Sequence, residues 1–383
     1  MSLLASSQKS AGERLRRVTA EVTDLEPLSD GSLNLRLTGA EASTIRAAKV
    51  VLAVGNFPPG DPPLRDRHFR RSDRYLNDPW AKETHDCLAE PGDIVILGSG
   101  LTALDLLLSL EERKTEGRIH ILSRRGLFPL PHRLGLPSWA LSAVFTKENL
   151  PRKLRPMLRL VRGEVKRAER EGADWRAVID ALRPLTQPFW RNLPIPERRR
   201  FLRLLRAYWE PHRHRAPKEA LAIRDRLVQS GQLHCHRGRI ISIVETEQDL
   251  EVSIRRPGDS LSPPDTLRVR YVVNCTGPEC NYQKLKDPLI VQLFGRGLIR
   301  PDPLLLGLDT DEDGGLINYL GASPRRVFTL GSPRKGMLLE TTAVPELRVQ
   351  ARDLAKVLQG ELVAGRQPLG LELIPERFYA FDI

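Results

Sequence analysis

The sequence predicts an α/β protein, and three observations carry that prediction. A short apolar run, Ile94-Val95-Ile96-Leu97, enters the turn Gly98-Ser99-Gly100; a helical pattern and a second apolar run, Arg118-Ile119-His120-Ile121-Leu122, follow. That order is the signature of a strand–turn–helix–strand unit in a parallel sheet. Three other strand-like runs end at a glycine: VVLAVGN (50–56), YVVNCTG (271–277) and VFTLG (327–331). The first two each follow an alternating, hairpin-like region, so each reads as a β-meander that rejoins a parallel sheet. Finally, residues 126–230 break the strand pattern with long amphipathic segments punctuated by proline. The fold class is therefore α/β, with two Rossmann-type units, each carrying a β-meander, and a helical insertion in the second.

The elements follow in order. Residues 15–54 alternate like strands, and Asp30-Gly31 between two alternating runs is a strong hairpin signal. The run from Lys49 to Gly55, closed by Phe57-Pro58-Pro59-Gly60, reads as a buried strand. Residues 60–92 are polar and rich in proline and read as a crossing between domains. The helix after Gly100 runs from Thr102 to about Arg113, with Leu104, Leu107, Leu108 and Leu110 for its buried side, and Gly117 breaks it. From Gln232 the chain returns to strands. The tail holds the run Arg326 to Gly331 and a helix from about Val344 to Leu358. No internal repeat of short period is present.

The bulk numbers set limits. A chain of 383 residues can bury the cores of two domains. The start, MSLLASSQKSAGERLRR, has no apolar run suited to a signal peptide, and no stretch approaches the roughly 18 apolar residues of a spanning helix. A cytoplasmic protein is expected. Cys87 and Cys235 stand alone, and Cys275 and Cys280 are too far apart for a C-x-x-C redox pair. His234-Cys235-His236 reads as a strand whose alternate side chains face opposite sides, and no metal site is expected. The formal charge is +12, and residues 121–230 alone hold 25 Lys/Arg against 10 Asp/Glu. This region shows no helix-turn-helix or zinc signature, and arginines on the wet face of amphipathic helices are commonly just solvated, so nucleic acid is not an expected partner. Its positive field can instead attract an anionic cofactor or substrate, dock a partner, or rest on anionic lipid. His212 and His214, beside Tyr208 and Trp209, read as a helix end whose basic residues suit the dipole.

The turn after Leu97 carries the chemistry. Gly98 allows the tight bend, Gly100 lets backbone approach a pyrophosphate, and Ala103 allows close helix–strand packing. Ser99 and Thr102 lie in the same turn, where the free N–H groups of the helix start attract phosphate. An NAD site usually has Asp or Glu at the end of the second strand, for the ribose hydroxyls. This chain has Ser123-Arg124-Arg125. An arginine makes charge-assisted bonds to a 2′-phosphate, each worth roughly 1.5–3 kcal/mol, which predicts NADPH over NADH by about tenfold or more. The returning strands end beside the ligand in such units, which adds Gly55 and Gly277.

With these residues in place, the chain resembles the bacterial FAD/NAD(P)-binding oxidoreductases with two dinucleotide-binding domains, relatives of the flavin monooxygenases. The matching stretches are VVLAVGNFPP, DIVILGSGLTALD, ILSRRGLFPLPHR, WEPHRHR, YVVNCTGP, GLIRPDPLLLGLDTDEDG and VFTLGSPRKGMLLETTAVPELRVQARDLA. The resemblance covers nearly the whole chain. It implies interleaved domains: an FAD-type domain at 1–90 and 278–383, and an NADP-binding domain at 91–277 that contains the insertion 126–230. It implies NADPH reducing FAD, and monooxygenase-like action on a small molecule. It places Gly55 and Asn56 where the first meander rejoins the FAD domain, and Gly331 and Ser332 near the flavin, followed by a helix carrying Glu340, Thr341 and Thr342. No catalytic residue is singled out. One departure stands out: such proteins open with a strand and G-x-G-x-x-G for FAD, and this chain has no glycine-rich turn before Gly98. The FAD domain is thus expected to be incomplete at its N-terminus, completed by a further segment or a separate chain. Otherwise the protein has lost FAD and acts as an NADP-binding or regulatory protein.

Overall fold

A computed structural model describes residues 15–39, 43–259 and 262–363; the basic start of the chain lies outside the described residues. The chain divides into two compact units, residues 1–55 with 280–383, and residues 56–279.

The first unit opens with an antiparallel meander, β1 (Glu21–Pro27), β2 (Leu33–Thr38) and β3 (Thr44–Ala47). The Asp30-Gly31 turn joins β1 to β2. Gly31 has φ +79°, and the Asp30 carboxylate accepts from Ser32 N and Oγ at 3.0 and 2.6 Å. Strand β4 (Val50–Leu52) follows.

The second unit holds β5 (Tyr75–Leu76), α1 (Lys82–Cys87), β6 (Ile94–Leu97), α2 (Leu101–Glu112) and β7 (Ile119–Ser123). Then come the helices α3 (Leu154–Arg170), α4 (Trp175–Ala181), α5 (Arg183–Asn192), α6 (Ile195–Leu204), α7 (Arg206–Arg213) and α8 (Lys218–Gln229). Strands β8 (Leu233–Arg237), β9 (Arg239–Glu245), β10 (Leu250–Arg255), β11 (Asp265–Val269) and β12 (Tyr271–Asn274) complete it. The parallel sheet has the order β5-β12-β6-β7-β8, and β9 to β11 form a separate meander. Both faces of this sheet are covered, which is why β6 is apolar throughout rather than alternating. Ile94, Ile96, Ile119 and Ile121 pack with Leu104 and Leu107 of α2 and Leu227 of α8. Val95, Leu97, Leu122 and Val272 pack with Ile243, Val252 and Val269 of the meander. The insertion has its own core around Met157, Val178 and Leu182. Beside it the buried carboxylate of Glu164 accepts from Trp139 Nε1, Ser142 N, Ser142 Oγ and Arg167.

The first unit resumes with α9 (Pro288–Gly295), capped by Asp287, whose side chain accepts from Ile290 N at 3.0 Å. Arg296, at the end of α9, forks onto Asp24 of β1 at 3.0 and 2.8 Å. Strand β13 (Val327–Thr329) pairs in parallel with β4, and α10 (Lys335–Leu338) and α11 (Val344–Val363) follow.

Several expectations need correction. The first boundary falls at Gly55, not at 90. Residues 56–90 join the second unit because β5 pairs with β12 on the parallel sheet. A two-residue strand has no periodicity to betray it. The helix α2 buries Leu106 as well as Leu104, Leu107 and Leu110, while Leu108 is only half-buried; α8 lies against it and widens the covered arc. The insertion is irregular up to residue 153. Glu340, Thr341 and Thr342 lie in the link between α10 and α11 rather than on a helix. Among the described residues no helix is long and apolar enough to cross a membrane.

Candidate dinucleotide site

The carboxyl ends of β12, β6, β7 and β8 lie side by side, and the direction of strand order reverses between β6 and β12. In open parallel sheets ligands bind at such a point. Gly98 sits there with φ +107°. Its N–H donates to Leu122 O of β7 at 2.8 Å, and a Cβ would lie 2.5 Å from the Cys275 carbonyl oxygen. The neighbouring strand therefore requires glycine at this position, whether or not a ligand is bound. Gly100 is the opposite case. It caps α2 with φ −82° and ψ −166°, a backbone shape open to any residue, and no atom lies within 4 Å of its Cβ position. The fold leaves clear space above the start of α2, with no side-chain cap and no acid in the first turn. An open, uncapped helix start of this kind suits a phosphate group.

The rest of the turn is structural. Ser99 is buried and donates to Leu127 O at 2.6 Å, tying the glycine turn to the loop after β7. Thr102 is half-buried in the first turn of α2, and Ala103 is buried in the core beneath it. Gly277 follows β12 with φ +91°. The loop before it is held by Asn274, whose Oδ1 accepts from Thr276 N and Oγ1.

At the end of β7, Ser123 Oγ accepts from Gly126 N at 3.0 Å and closes a tight turn. The turn presents Arg124 and Arg125 outward. Arg124 makes no hydrogen bond or ion pair with any described residue. Arg125 donates to the Tyr208 hydroxyl at 3.1 Å and lies 5.0 Å from that ring's centre. Ser123 is in register with Arg237 at the end of β8, which is also exposed. The stretch 123–128 contains no acid. Three arginines thus gather at the place where a ribose-binding acid usually stands. Sequence reasoning missed Arg237; its signal was a basic residue ending the next parallel strand.

In the first unit, Leu52 and Thr329 are in register, so Gly55 and Gly331 end two adjacent parallel strands. Gly55 has φ +67° and Gly331 φ +77°. Asn56 is the first residue of the other unit. Ser332 begins a short 3₁₀ turn. Gly331 donates from its N–H to Gln350 Oε1 at 3.1 Å and accepts from Thr341 Oγ1 at 2.9 Å. Thr341 therefore fastens the glycine turn rather than capping a helix, and Gln350 is a partner the sequence did not reveal. The residues described here do not fit FAD by themselves. They form a two-stranded parallel sheet with Val50 and Val51 only half-buried, and among them no strand leads through a glycine-rich turn into a helix.

The histidines divide into two sets. His234 and His236 share a face of β8 with His120 of β7, and His120 Nδ1 lies 2.9 Å from His236 Nε2. Burial first, then the neighbouring His236 and His234, push His120 down to about 4. Among the described residues, no group of three or more His, Cys, Asp or Glu is arranged to hold a metal. His212 and His214 lie at the end of α7, where His212 contacts Tyr208 O at 2.7 Å and His214 contacts Glu210 Oε2 at 2.8 Å.

No protein-family model matches the chain, and no curated protein matches it. Solved structures do. The chain is similar to L-lysine 6-monooxygenase from Pseudomonas syringae, with a TM-score of 0.60 and 17% identity over 94% of this chain and 74% of that one. It is similar to the ornithine N-hydroxylase of Kutzneria sp. 744, solved with reduced FAD, NADP+ and L-ornithine, with a TM-score of 0.57 and 12% identity over 93% and 76%. It is also similar to thioredoxin reductase from Lactococcus lactis, with a TM-score of 0.51 and 10% identity over 94% and 81%. These likenesses establish the fold, an α/β fold with Rossmann-type dinucleotide-binding domains, which is the class read from the sequence.

Proposed function

We propose that the second unit binds NADPH and that the chain belongs to a flavin-dependent oxidoreductase acting as a monooxygenase on a small molecule. One observation carries the reading: an open cradle at Gly100 stands beside a corner of three arginines, Arg124, Arg125 and Arg237, with no acid among residues 123–128. The N–H groups at the start of α2 hold the pyrophosphate, while Gly98 keeps the turn pressed to β12. Arg124 and Arg237 face the 2′-phosphate, and Tyr208 holds Arg125 in position for it. When bound, NADPH supplies a hydride. The monooxygenase part of the reading is supported by the names of the lysine and ornithine enzymes of the same fold.

FAD enters this reading only with an addition. That addition is a further parallel strand with a glycine-rich turn, paired to the sheet of β4 and β13. The alternative, an NADP-binding or regulatory protein without catalysis, is favoured by that two-stranded sheet. Titration of the purified chain with NADPH and NADH tests the core of the proposal. NADPH binds about tenfold or more tightly, and Arg124→Ala weakens NADPH while leaving NADH nearly unchanged. Equal affinity for the two nucleotides overturns it.

A further inference from the structure

Arg326, just ahead of β13, is only 8% exposed. Its side chain makes no hydrogen bond or ion pair with any described residue, and its Nε is buried without a partner. The adjacent Arg325 is bound by Asp311, Asp313 and Glu361. Burial depresses Arg326, and no acid among the described residues offsets it. A guanidinium keeps its charge at any physiological pH. Removing one partner of a buried charge pair is strongly destabilising, because it leaves a buried charge uncompensated. Among the described residues nothing supplies the counter-charge that such a group calls for.

The surroundings indicate what kind. Arg326 lines a cavity of about 20 Å³ within the first unit, walled by Leu33, Leu298 and Leu316, with Asn318 as the other polar side chain. Asn318 Oδ1 accepts from Ala322 N at 2.9 Å, which turns one acceptor site away and leaves the NH2 group to donate. The two polar side chains on this wall, Arg326 and Asn318, both offer donors. The space suits one particle about the size of a water molecule, since a cavity needs roughly 10–15 Å³ to hold a water. Phosphate and sulfate are too large. We propose that this cavity is a binding site for a single small monovalent anion of the halide class, held by Arg326 and Asn318 against apolar walls. This site is separate from the nucleotide reading and does not depend on it.

The test uses the full chain. Its thermal midpoint is measured in sodium chloride, bromide, formate and gluconate at matched ionic strength. Chloride and bromide raise the midpoint by about 2–4 °C over gluconate. Arg326→Met, which keeps the length and apolar body of the side chain, removes that difference. Equal midpoints in chloride and gluconate overturn the site, as does a difference that persists in Arg326→Met. A rise with formate alone replaces the halide with a carboxylate and overturns the assignment. Should Arg326→Met fail to fold, crystals of the unaltered chain grown with bromide decide. An anomalous peak within hydrogen-bond reach of Arg326 supports the site, and its absence refutes it.

Discussion

The Tyr208 hydroxyl accepts a hydrogen bond from Arg125 at 3.1 Å, and the guanidinium lies 5.0 Å from the centre of the same ring. The contact joins α7 of the helical insertion to the turn after β7, 83 residues away in sequence. In the NADPH reading proposed above, the contact gives the insertion a part in positioning Arg125. An exposed cation–π contact is worth about 0.5–1 kcal/mol. Tyr208→Ala is therefore expected to weaken NADPH binding about three- to fivefold. Tyr208→Phe, which keeps the ring, loses less. Neither change is expected to move NADH, since the proposal assigns Arg125 to the 2′-phosphate. A parallel loss for both nucleotides in a binding titration counts against this role.

Gly98 and Gly100, with one residue between them, are expected to respond to substitution in different ways. Gly98→Ala places a Cβ against the Cys275 carbonyl at a positive φ. It is expected to destabilise the second unit by about 2–4 kcal/mol, read by urea denaturation. Gly100→Ala meets no protein atom. It is expected to leave stability within about 1 kcal/mol while weakening NADPH at least about tenfold, since the methyl fills the phosphate cradle. Normal NADPH affinity in Gly100→Ala removes the pyrophosphate from this turn.

The sequence revealed what periodicity and glycine can reveal. The run Ile94–Leu97 into Gly98 marked β6, the sheet and the site in one stretch. Strand β5 escaped because two residues carry no period. Arg237 and His120 escaped because each acquires its meaning from the neighbouring parallel strand, and that pairing lies over a hundred residues away. Thr341, expected on a helix, lies in a link because its partners Gly331 and Gln350 are brought together only by tertiary packing.

Glu164 gives the insertion an acid limit. The side chain is only 4% exposed. Burial alone raises its pKa, but hydrogen bonds from Arg167, Trp139 and Ser142 outweigh that and hold the carboxyl at about 2. Its contribution to stability is fully present above the ordinary value of 4.5 and is lost as pH falls toward about 2. Glu164→Ala leaves the Trp139 N–H and Ser142 without their acceptor, while Arg167 keeps Glu171 and the Ala140 carbonyl, and is expected to cost about 1–3 kcal/mol. Thermal melts of the variant near neutral pH read the loss; an unchanged midpoint rejects it.

His120 acts in a different window, which lets the two effects be separated. Here the folded state holds a base below its ordinary value, from 6.5 to about 4, because burial and then His236 and His234 disfavour a proton. His236 is lowered as well, first by burial and then by His234, while Asp265 opposes and Arg256 reinforces the shift. Asp93 partly counters the depression at His120, and Arg118 adds to it. The unfolded chain takes up this proton near pH 6.5 and the folded chain does not until near 4. Stability is therefore greatest above 6.5 and falls as pH drops through that interval, by at most about 3 kcal/mol at 1.36 kcal/mol per unit. The loss from Glu164 begins only below 4.5, so urea denaturation between pH 7 and 5 isolates the histidines. His120→Asn removes the proton site while keeping a polar side chain facing His236. It is expected to flatten the pH dependence in that interval, and a slope as steep as that of the unaltered chain would show that other groups control it.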